Sequence, residues 1–266
     1  MKHSCDAIRR EVKARNAALI GYLPLGYPTV EKSIEAAKTL IENGVDVLEL
    51  GFPYSDPGMD GPVIQSATVE ALKNGTHLED LFTAVEDITA EGVPVLSMTY
   101  WNPVHWYGVP HFAKRFAQAN GAGLITPDLP PEEAGEWKEA SEEYDLERVF
   151  LAAPSSSRKR LELISRSTNA WVYAAATMGV TGQRSSLDPA TRALVSRLRE
   201  AGAPLVCVGI GVSTGEQARE IASYADGVIV GSAFVKLLAD EDWDRALENL
   251  ATLARELKDG TTGTKR

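Results

Sequence analysis

The chain has 266 residues, of which 44% are hydrophobic, and a formal net charge of -10 at pH 7. Its Lys and Arg residues are scattered rather than clustered, which argues against a surface that follows a nucleic-acid backbone. No stretch reaches the roughly 18 apolar residues of a membrane-spanning helix, and residues 1–16 lack the apolar run of a secretory signal. We therefore expect a cytoplasmic protein with neither a nucleic-acid nor a membrane partner.

Eight short apolar runs recur along the chain and alternate with amphipathic stretches of helical spacing. The runs are AALIGYL, VDVLEL, VPVLSMTY, GAGLIT, RVFLAA, WVYAAAT, PLVCVG and GVIVGS. This alternation predicts parallel strands joined by right-handed crossovers, and eight units in about 250 residues are typical of an α/β protein with a closed (β/α)8 TIM barrel. An open doubly wound sheet is the alternative, although it more often carries a Gly-x-Gly-x-x-Gly turn after its first strand, which this sequence lacks.

Three segments lie outside the eight regular units. Residues 1–15 predict an extra helix that covers the amino-terminal end of the barrel. The interval between the second and third strands has room for two helices, at residues 62–73 and 78–91, which is one more than a regular unit contains. We expect a single domain over residues 1–258, followed by a flexible tail at 259–266.

The cysteines and histidines do not form a metal-binding pattern. Cys5 lies in the polar leader and Cys207 in an apolar run, so both are predicted to be structural thiols of a reducing compartment. The four histidines are dispersed and none has ligand spacing to Cys or Asp. No metal site is predicted.

A glutamate stands among apolar residues near the end of the second strand. Because side chains alternate along a strand, Glu49 should share a face with Val45 and Val47. If that face is the barrel interior, Glu49 lies at the carboxyl-terminal mouth, where barrel enzymes build their sites and where desolvation raises a carboxyl pKa. A buried structural glutamate, paired with an arginine or with backbone amides, is the alternative.

The loop that follows, SDPGMDGP, contains a second candidate carboxylate. Asp60 would lie at the same mouth as Glu49, where the two could divide acid and base roles. The loop is rich in turn-forming residues, so Asp60 could equally be a turn or capping residue, with Pro62 opening the next helix.

Glycine-rich loops follow the last three strands, at residues 179–182 (GVTG), 209–213 (GIGVS) and 231–234 (GSAF). Glycine lets main-chain amides approach an anion, and the loops after the seventh and eighth strands are the usual phosphate position in such barrels. Ser232 is also expected to cap a short helix that begins after it. Each loop taken alone could be an ordinary tight turn.

The mouth should also be apolar and aromatic, as a pocket for a flat bicyclic ring requires. The side chains expected there are Tyr22, Phe52, Ile64, Met98, Tyr100, Ile125 and Tyr173. Ordinary core packing is the alternative for each. None of the eight apolar runs contains a lysine, so Schiff-base chemistry is not indicated, and acid–base catalysis by carboxylates on a substrate such as an indole remains.

Six motifs occur in the order and spacing of a known family. They are LELGFPYSDPGMDGPVIQSAT, YWNPV, PDLPPEE, GVTG, GIGVS and ADGVIVGSAFVK. Over nearly its full length the chain resembles the tryptophan synthase alpha subunit family. The resemblance implies retro-aldol cleavage of indole-3-glycerol phosphate to indole and glyceraldehyde 3-phosphate, without a cofactor in this chain. It also implies an α2β2 heterotetramer with a beta subunit that carries pyridoxal phosphate and joins indole to serine.

The resemblance assigns roles to individual residues. Glu49 matches the glutamate that transfers protons to the indole carbon and from the glycerol hydroxyl, and Asp60 matches the aspartate that accepts the ring N–H. The positions that match substrate-binding residues are Tyr22, Ile64, Met98, Tyr100, Ile125 and Tyr173. The positions that match phosphate-binding residues are Gly182, Gly211, Gly231 and Ser232.

The chain departs from the family's usual pattern in three places. Residues 57–59 (PGM) replace a more usual Pro-Leu-Ala, residues 177–178 (TM) replace a segment that contains Ser-Arg, and Pro24 replaces a common threonine. These departures bear on loop closure and on the fit to a beta subunit more than on the reaction.

Three other functions remain open at this point. One is a stand-alone lyase that releases free indole, and another is a binding module that regulates a beta subunit without chemistry. The third is a neighbouring barrel enzyme, such as indole-glycerol phosphate synthase or an aldolase, although the strand-end lysines of those enzymes are missing here.

Overall fold

A computed structural model describes residues 2–175, 189–209 and 211–264. In these ranges all paired strands are parallel and follow the order β5-β4-β3-β2-β1-β9-β8-β7-β6. The strands are β1 (Ala18–Pro24), β2 (Val47–Gly51), β3 (Val95–Met98), β4 (Gly123–Ile125), β5 (Glu147–Val149), β6 (Leu151–Ala152), β7 (Val172–Ala175), β8 (Val206–Gly209) and β9 (Gly227–Val230).

The sheet closes into a barrel because its two ends belong to one stretch of chain. β5 and β6 stand at opposite ends of the strand order, yet only Phe150 separates them in the sequence. They are therefore one interrupted strand, and the nine segments correspond to the eight strands of the predicted (β/α)8 barrel. The structure confirms this fold and excludes the open doubly wound sheet.

Helices surround the barrel and are joined to the strands by short loops. They are α1 (Ser4–Lys13), α2 (Val30–Glu42), α3 (Pro62–Lys73), α4 (Leu78–Thr89), α5 (Trp101–Tyr107), α6 (Val109–Gln118), α7 (Gly135–Glu143), α8 (Arg158–Ser167), α9 (Pro189–Glu200), α10 (Gly215–Ala222), α11 (Ser232–Leu237) and α12 (Trp243–Thr261). The extra amino-terminal helix and the additional helix after β2 are both present, and Pro62 opens α3 as expected. No helix within the described ranges is both long enough and apolar enough to cross a bilayer.

Two clusters of buried side chains form the core. The outer cluster lies between strands and helices, and the inner cluster fills the barrel, with Val47, Leu96, Ile125 and Cys207 among its members. Val45 belongs to the outer cluster, so the prediction that it shares a face with Val47 was wrong. The alternation starts only with β2.

The chain turns just before β2, which explains why Val45 and Val47 lie on different sides of the sheet. At Asp46 the main-chain N–H donates to the Leu19 carbonyl (2.9 Å), and the carboxylate accepts the Leu19 N–H (2.8 Å). Asp46 also pairs with Lys258 of α12 at 2.7 Å. The sequence predicts a domain that ends at residue 258, whereas helix α12 continues to Thr261.

Helix α1 closes the amino-terminal end of the barrel. The Glu147 carboxylate accepts the N–H groups of Ser4 and Cys5 at 3.0 and 2.9 Å, and the Trp171 indole donates to the Ser4 hydroxyl at 2.9 Å. A buried carboxylate at the start of a helix satisfies amides that have no partner inside the helix. Because this end is sealed, a ligand can reach the barrel axis only from the opposite end.

Candidate active site

Glu49 lies on the inner face of β2, at the carboxyl-terminal end of the barrel. Its exposed fraction is 0%, and its register partners are Tyr22 of β1 and Leu96 of β3. Neither carboxylate oxygen has a hydrogen-bond partner among the described residues. Burial raises the pKa of Glu49 from 4.5 to about 8, so the group is mainly protonated at pH 7. This confirms the predicted inward orientation of Glu49, and within the described residues it argues against the alternative of a paired structural glutamate.

Asp60 lies at the end of the loop between β2 and α3, one residue before the Gly61 cap of the helix. Its side chain is half-buried. Burial raises the pKa of Asp60 from 3.8 to about 6, which leaves the carboxylate mainly ionised at pH 7. Two neighbouring carboxyls therefore differ in protonation state, as acid and base roles at one site require.

Two tyrosines connect the carboxyls in space. The pKa of Tyr22 and the pKa of Tyr173 are both raised well above the ordinary tyrosine value by burial, and the charges of Asp60 and Glu49 both contribute at each. Electrostatic influence of this kind acts over short distances. Each tyrosine is therefore close enough to feel both carboxyls, and Tyr22 is also the register partner of Glu49.

Glycines at the strand ends make room for the two tyrosine rings. A Cβ on Gly51 would collide with the phenol of Tyr22, and a Cβ on Gly209 would collide with the phenol of Tyr173. Sequence analysis did not single out Gly51, which closes an apolar run, and it considered Gly209 only as the first residue of the GIGVS loop. In neither case does the sequence signal that the glycine makes room for a ring.

The structure places the other expected lining residues at the same end of the barrel, but not in a single cluster. Met98 and Ile125 are register partners on β3 and β4, and both pack with the inner cluster. Ile64 is buried in the first turn of α3 and belongs to the outer cluster, as does Tyr22. Tyr100 immediately precedes α5 and is only 7% exposed.

Three of the four phosphate-binding candidates lie in described loops at the ends of adjacent strands. Gly211 follows β8 with a positive φ of 35°, and Gly231 follows β9, where a Cβ would approach the Tyr22 ring to 3.2 Å. Ser232 is the first residue of α11, and Gly231 is its cap, so the prediction that Ser232 caps the helix was wrong by one position. Gly182 lies outside the described residues.

The described residues contain no group of three or more His, Cys, Asp or Glu side chains that could hold a metal ion. Cys5 and Cys207 are both buried, and neither forms a disulfide.

The comparison with protein families agrees with this geometry. Residues 8–262 match the family model described as "Tryptophan synthase alpha chain". The chain belongs to the tryptophan synthase alpha chain family. Membership in that family confirms the enzyme class predicted from the sequence, a carbon–carbon lyase of tryptophan biosynthesis.

Relatives of the tryptophan synthase alpha chain family match over nearly the whole length. The alpha chain of Bifidobacterium longum is 54% identical, over 96% of this chain and 90% of the relative. A solved tryptophan synthase of Mycobacterium tuberculosis has 48% identity and a TM-score of 0.92, and it covers 97% of this chain and 98% of its own. A tryptophan synthase complex of Pyrococcus furiosus has 32% identity and a TM-score of 0.84, over 91% and 98% of the two chains.

Proposed function

We propose that this chain cleaves indole-3-glycerol phosphate to indole and glyceraldehyde 3-phosphate, with Glu49 and Asp60 as its catalytic residues. One observation carries this proposal. A fully buried carboxyl, without a hydrogen-bond partner among the described residues, faces the barrel mouth beside a second carboxyl of lower pKa. Such a group costs stability and is retained where it does chemistry.

Glu49 acts first as an acid and then as a base. Its proton passes to the indole carbon that bears the glycerol chain, which makes the ring an indolenine with a positively charged nitrogen. The Glu49 carboxylate then takes the proton of the adjacent glycerol hydroxyl. The carbon–carbon electrons return to the ring, the hydroxyl carbon becomes the aldehyde, and Glu49 is protonated again. A pKa of about 8 suits both transfers near neutral pH.

Asp60 stabilises the intermediate between these transfers. Its carboxylate accepts the ring N–H and balances the positive charge that develops on the nitrogen. The rings of Tyr22 and Tyr173, together with Met98 and Ile125, form apolar walls for the flat bicycle. Because a partly desolvated site strengthens the attraction between charges, a half-buried Asp60 is well suited to this role.

The phosphate of the substrate is bound by main-chain amides on the far side of the mouth. Gly211, Gly231 and Ser232 stand after β8 and β9, where Gly231 adjoins the Tyr22 ring. Gly182 completes the set in our proposal. The substrate would then lie across the mouth, with its ring between the two carboxyls and its phosphate at the loops after the last strands of the barrel.

We also propose an α2β2 assembly with a tryptophan synthase beta subunit, which receives the indole. The alpha reaction, as written above, needs no cofactor in this chain, and pyridoxal phosphate belongs to the beta subunit. Two buried cysteines that form no disulfide accord with a reducing, cytoplasmic location.

The full chain, incubated with indole-3-glycerol phosphate, should release indole slowly alone and faster with the beta subunit. Steady-state rates of indole formation with and without that subunit measure both effects. A high rate in the isolated chain, with no detectable complex, would favour a stand-alone lyase. Unchanged turnover in Glu49→Gln would favour a regulatory binding module and refute the proposed mechanism.

A further inference from the structure

The loop that carries Asp60, residues 52–61, is exposed to solvent over part of its length. The first residue of the loop is fixed to β3, because the Phe52 N–H donates to the Met98 carbonyl at 3.0 Å. Beyond this point Ser55, Asp56 and Gly58 are exposed. A carboxylate on such a loop can meet a ring nitrogen reproducibly only if the main chain beside it is fixed.

Two side chains from neighbouring elements hold the main chain on either side of Asp60. The Tyr100 hydroxyl accepts the N–H of Met59, at 2.9 Å. The Gln65 side-chain amide, in the first turns of α3, donates to the carbonyl oxygen of Asp60 itself, at 2.8 Å. The two hydrogen bonds therefore hold the peptide unit between residues 58 and 59 and the peptide unit between residues 60 and 61, which flank the unit that links Met59 to Asp60.

Tyr100 is itself held in place on two sides. Its ring stacks on the ring of Tyr54, in the same loop as Asp60, with centroids 5.1 Å apart and planes at 26°. The next residue, Trp101, donates its N–H to the Asp128 carboxylate at 2.8 Å, which ties the start of α5 to the loop after β4. The charge of Asp60 reaches Tyr100, because it is among the causes, after burial, that raise the Tyr100 pKa.

We propose that Tyr100 and Gln65 are positioning residues that fix the Asp60 carboxylate opposite the ring nitrogen of the substrate. This inference rests on the proposed function, and it gives the Tyr100 hydroxyl a role other than lining the pocket. Neither residue transfers a proton. Each acts through Asp60, so its contribution should vanish when the Asp60 carboxylate is absent.

A double-mutant cycle tests this dependence in the full chain, alone and with the beta subunit. Tyr100→Phe keeps the ring and removes the acceptor, and Gln65→Met keeps the length of the side chain and removes the donor. We expect each to lower kcat by roughly 10-fold, with KM within about 3-fold, since misplacement of a group by about 1 Å can cost up to 100-fold. Tyr54→Phe, which removes a hydroxyl from the stacked ring and leaves both hydrogen bonds, is the matched control and should stay within about 2-fold.

In the Asp60→Asn background, Tyr100→Phe and Gln65→Met should lower kcat by less than about 2-fold further, because groups that act as a unit are not additive. Asp60→Glu keeps a carboxylate, so both substitutions should still lower kcat in that background, which serves as the comparison. Full additivity in the Asp60→Asn background, or no effect of either single substitution, overturns the inference and leaves the proposed function intact. If Asp60→Asn alone leaves turnover unchanged, the proposed role of Asp60 fails instead.

Discussion

Glu49 should destabilise the folded chain, and Glu49→Gln should therefore stabilise it in a way that depends on pH. The carboxyl is 0% exposed, and its pKa is about 8 in the fold against 4.5 when it is freely solvated. A carboxyl with a raised folded pKa opposes folding above its unfolded pKa. The penalty begins near pH 4.5, grows with pH, and becomes constant above about pH 8.

The magnitude follows from the size of the shift. Each pKa unit corresponds to about 1.4 kcal/mol, so full ionisation of Glu49 costs on the order of 5 kcal/mol of unfolding free energy. That is a large fraction of the ~5–15 kcal/mol that stabilises a typical domain. The glutamine amide does not titrate, although its own burial costs about 1–3 kcal/mol at every pH. The slope of the stability difference against pH therefore reports the ionisation of Glu49 more directly than the difference at any single pH.

The assay is reversible urea unfolding, followed by circular dichroism at half-unit steps from pH 5 to 9. The stability of Glu49→Gln relative to the parent should rise by about 1.4 kcal/mol per pH unit up to about pH 8 and then level off. Asp60→Asn is the matched control, because its rise should end near pH 6, the folded pKa of Asp60. Parallel curves for Glu49→Gln and the parent between pH 6 and 8 would show that Glu49 titrates normally, and the reasoning from burial would fail.

Three further predictions concern activity. Turnover should fall by at least ~100-fold in Glu49→Gln and in Asp60→Asn, with KM within a few-fold of the parent value. Steady-state kinetics measure both quantities. A loss confined to KM would reassign both groups to binding. The profile of kcat/KM against pH should be bell-shaped, falling below about pH 6 as Asp60 is protonated and above about pH 8 as Glu49 loses its proton. An acid limb that persists in Asp60→Asn would belong to the substrate phosphate, whose second pKa is also about 6. Gly209→Ala should lower kcat/KM by roughly 10-fold, because the added Cβ would displace the Tyr173 phenol. An unchanged kcat/KM would mean that the Tyr173 ring does not border the substrate.

Side-chain alternation was sufficient to find Glu49. Its placement depends only on the period of two along β2, and that period holds from Val47 onward. It fails at Val45, because the hydrogen bonds of Asp46 to β1 turn the chain before the strand begins. A local sequence pattern therefore predicts the direction of side chains reliably in the middle of a strand and poorly near its first residues.

Contacts between distant segments could not be predicted in the same way. The bond between Tyr100 and Met59 joins residues 41 positions apart, and nothing in YWNPV or SDPGMDGP specifies it. The close approach of Tyr173 to Gly209 likewise depends on the packing of β7 against β8. Asp60 was placed at the mouth by its loop, but only the structure shows how its main chain is held.

The seal at the floor of the barrel has a consequence for how the chain is made. Residues of α1 leave the ribosome well before the groups that hold Ser4, which lie 143 and 167 positions later, at Glu147 and Trp171. Until those residues emerge, the start of α1 lacks the carboxylate and the indole that hold it in the fold. The helix is thus translated early and completes its native contacts late, and a chain stalled halfway through synthesis would present an incompletely docked amphipathic helix to chaperones and proteases.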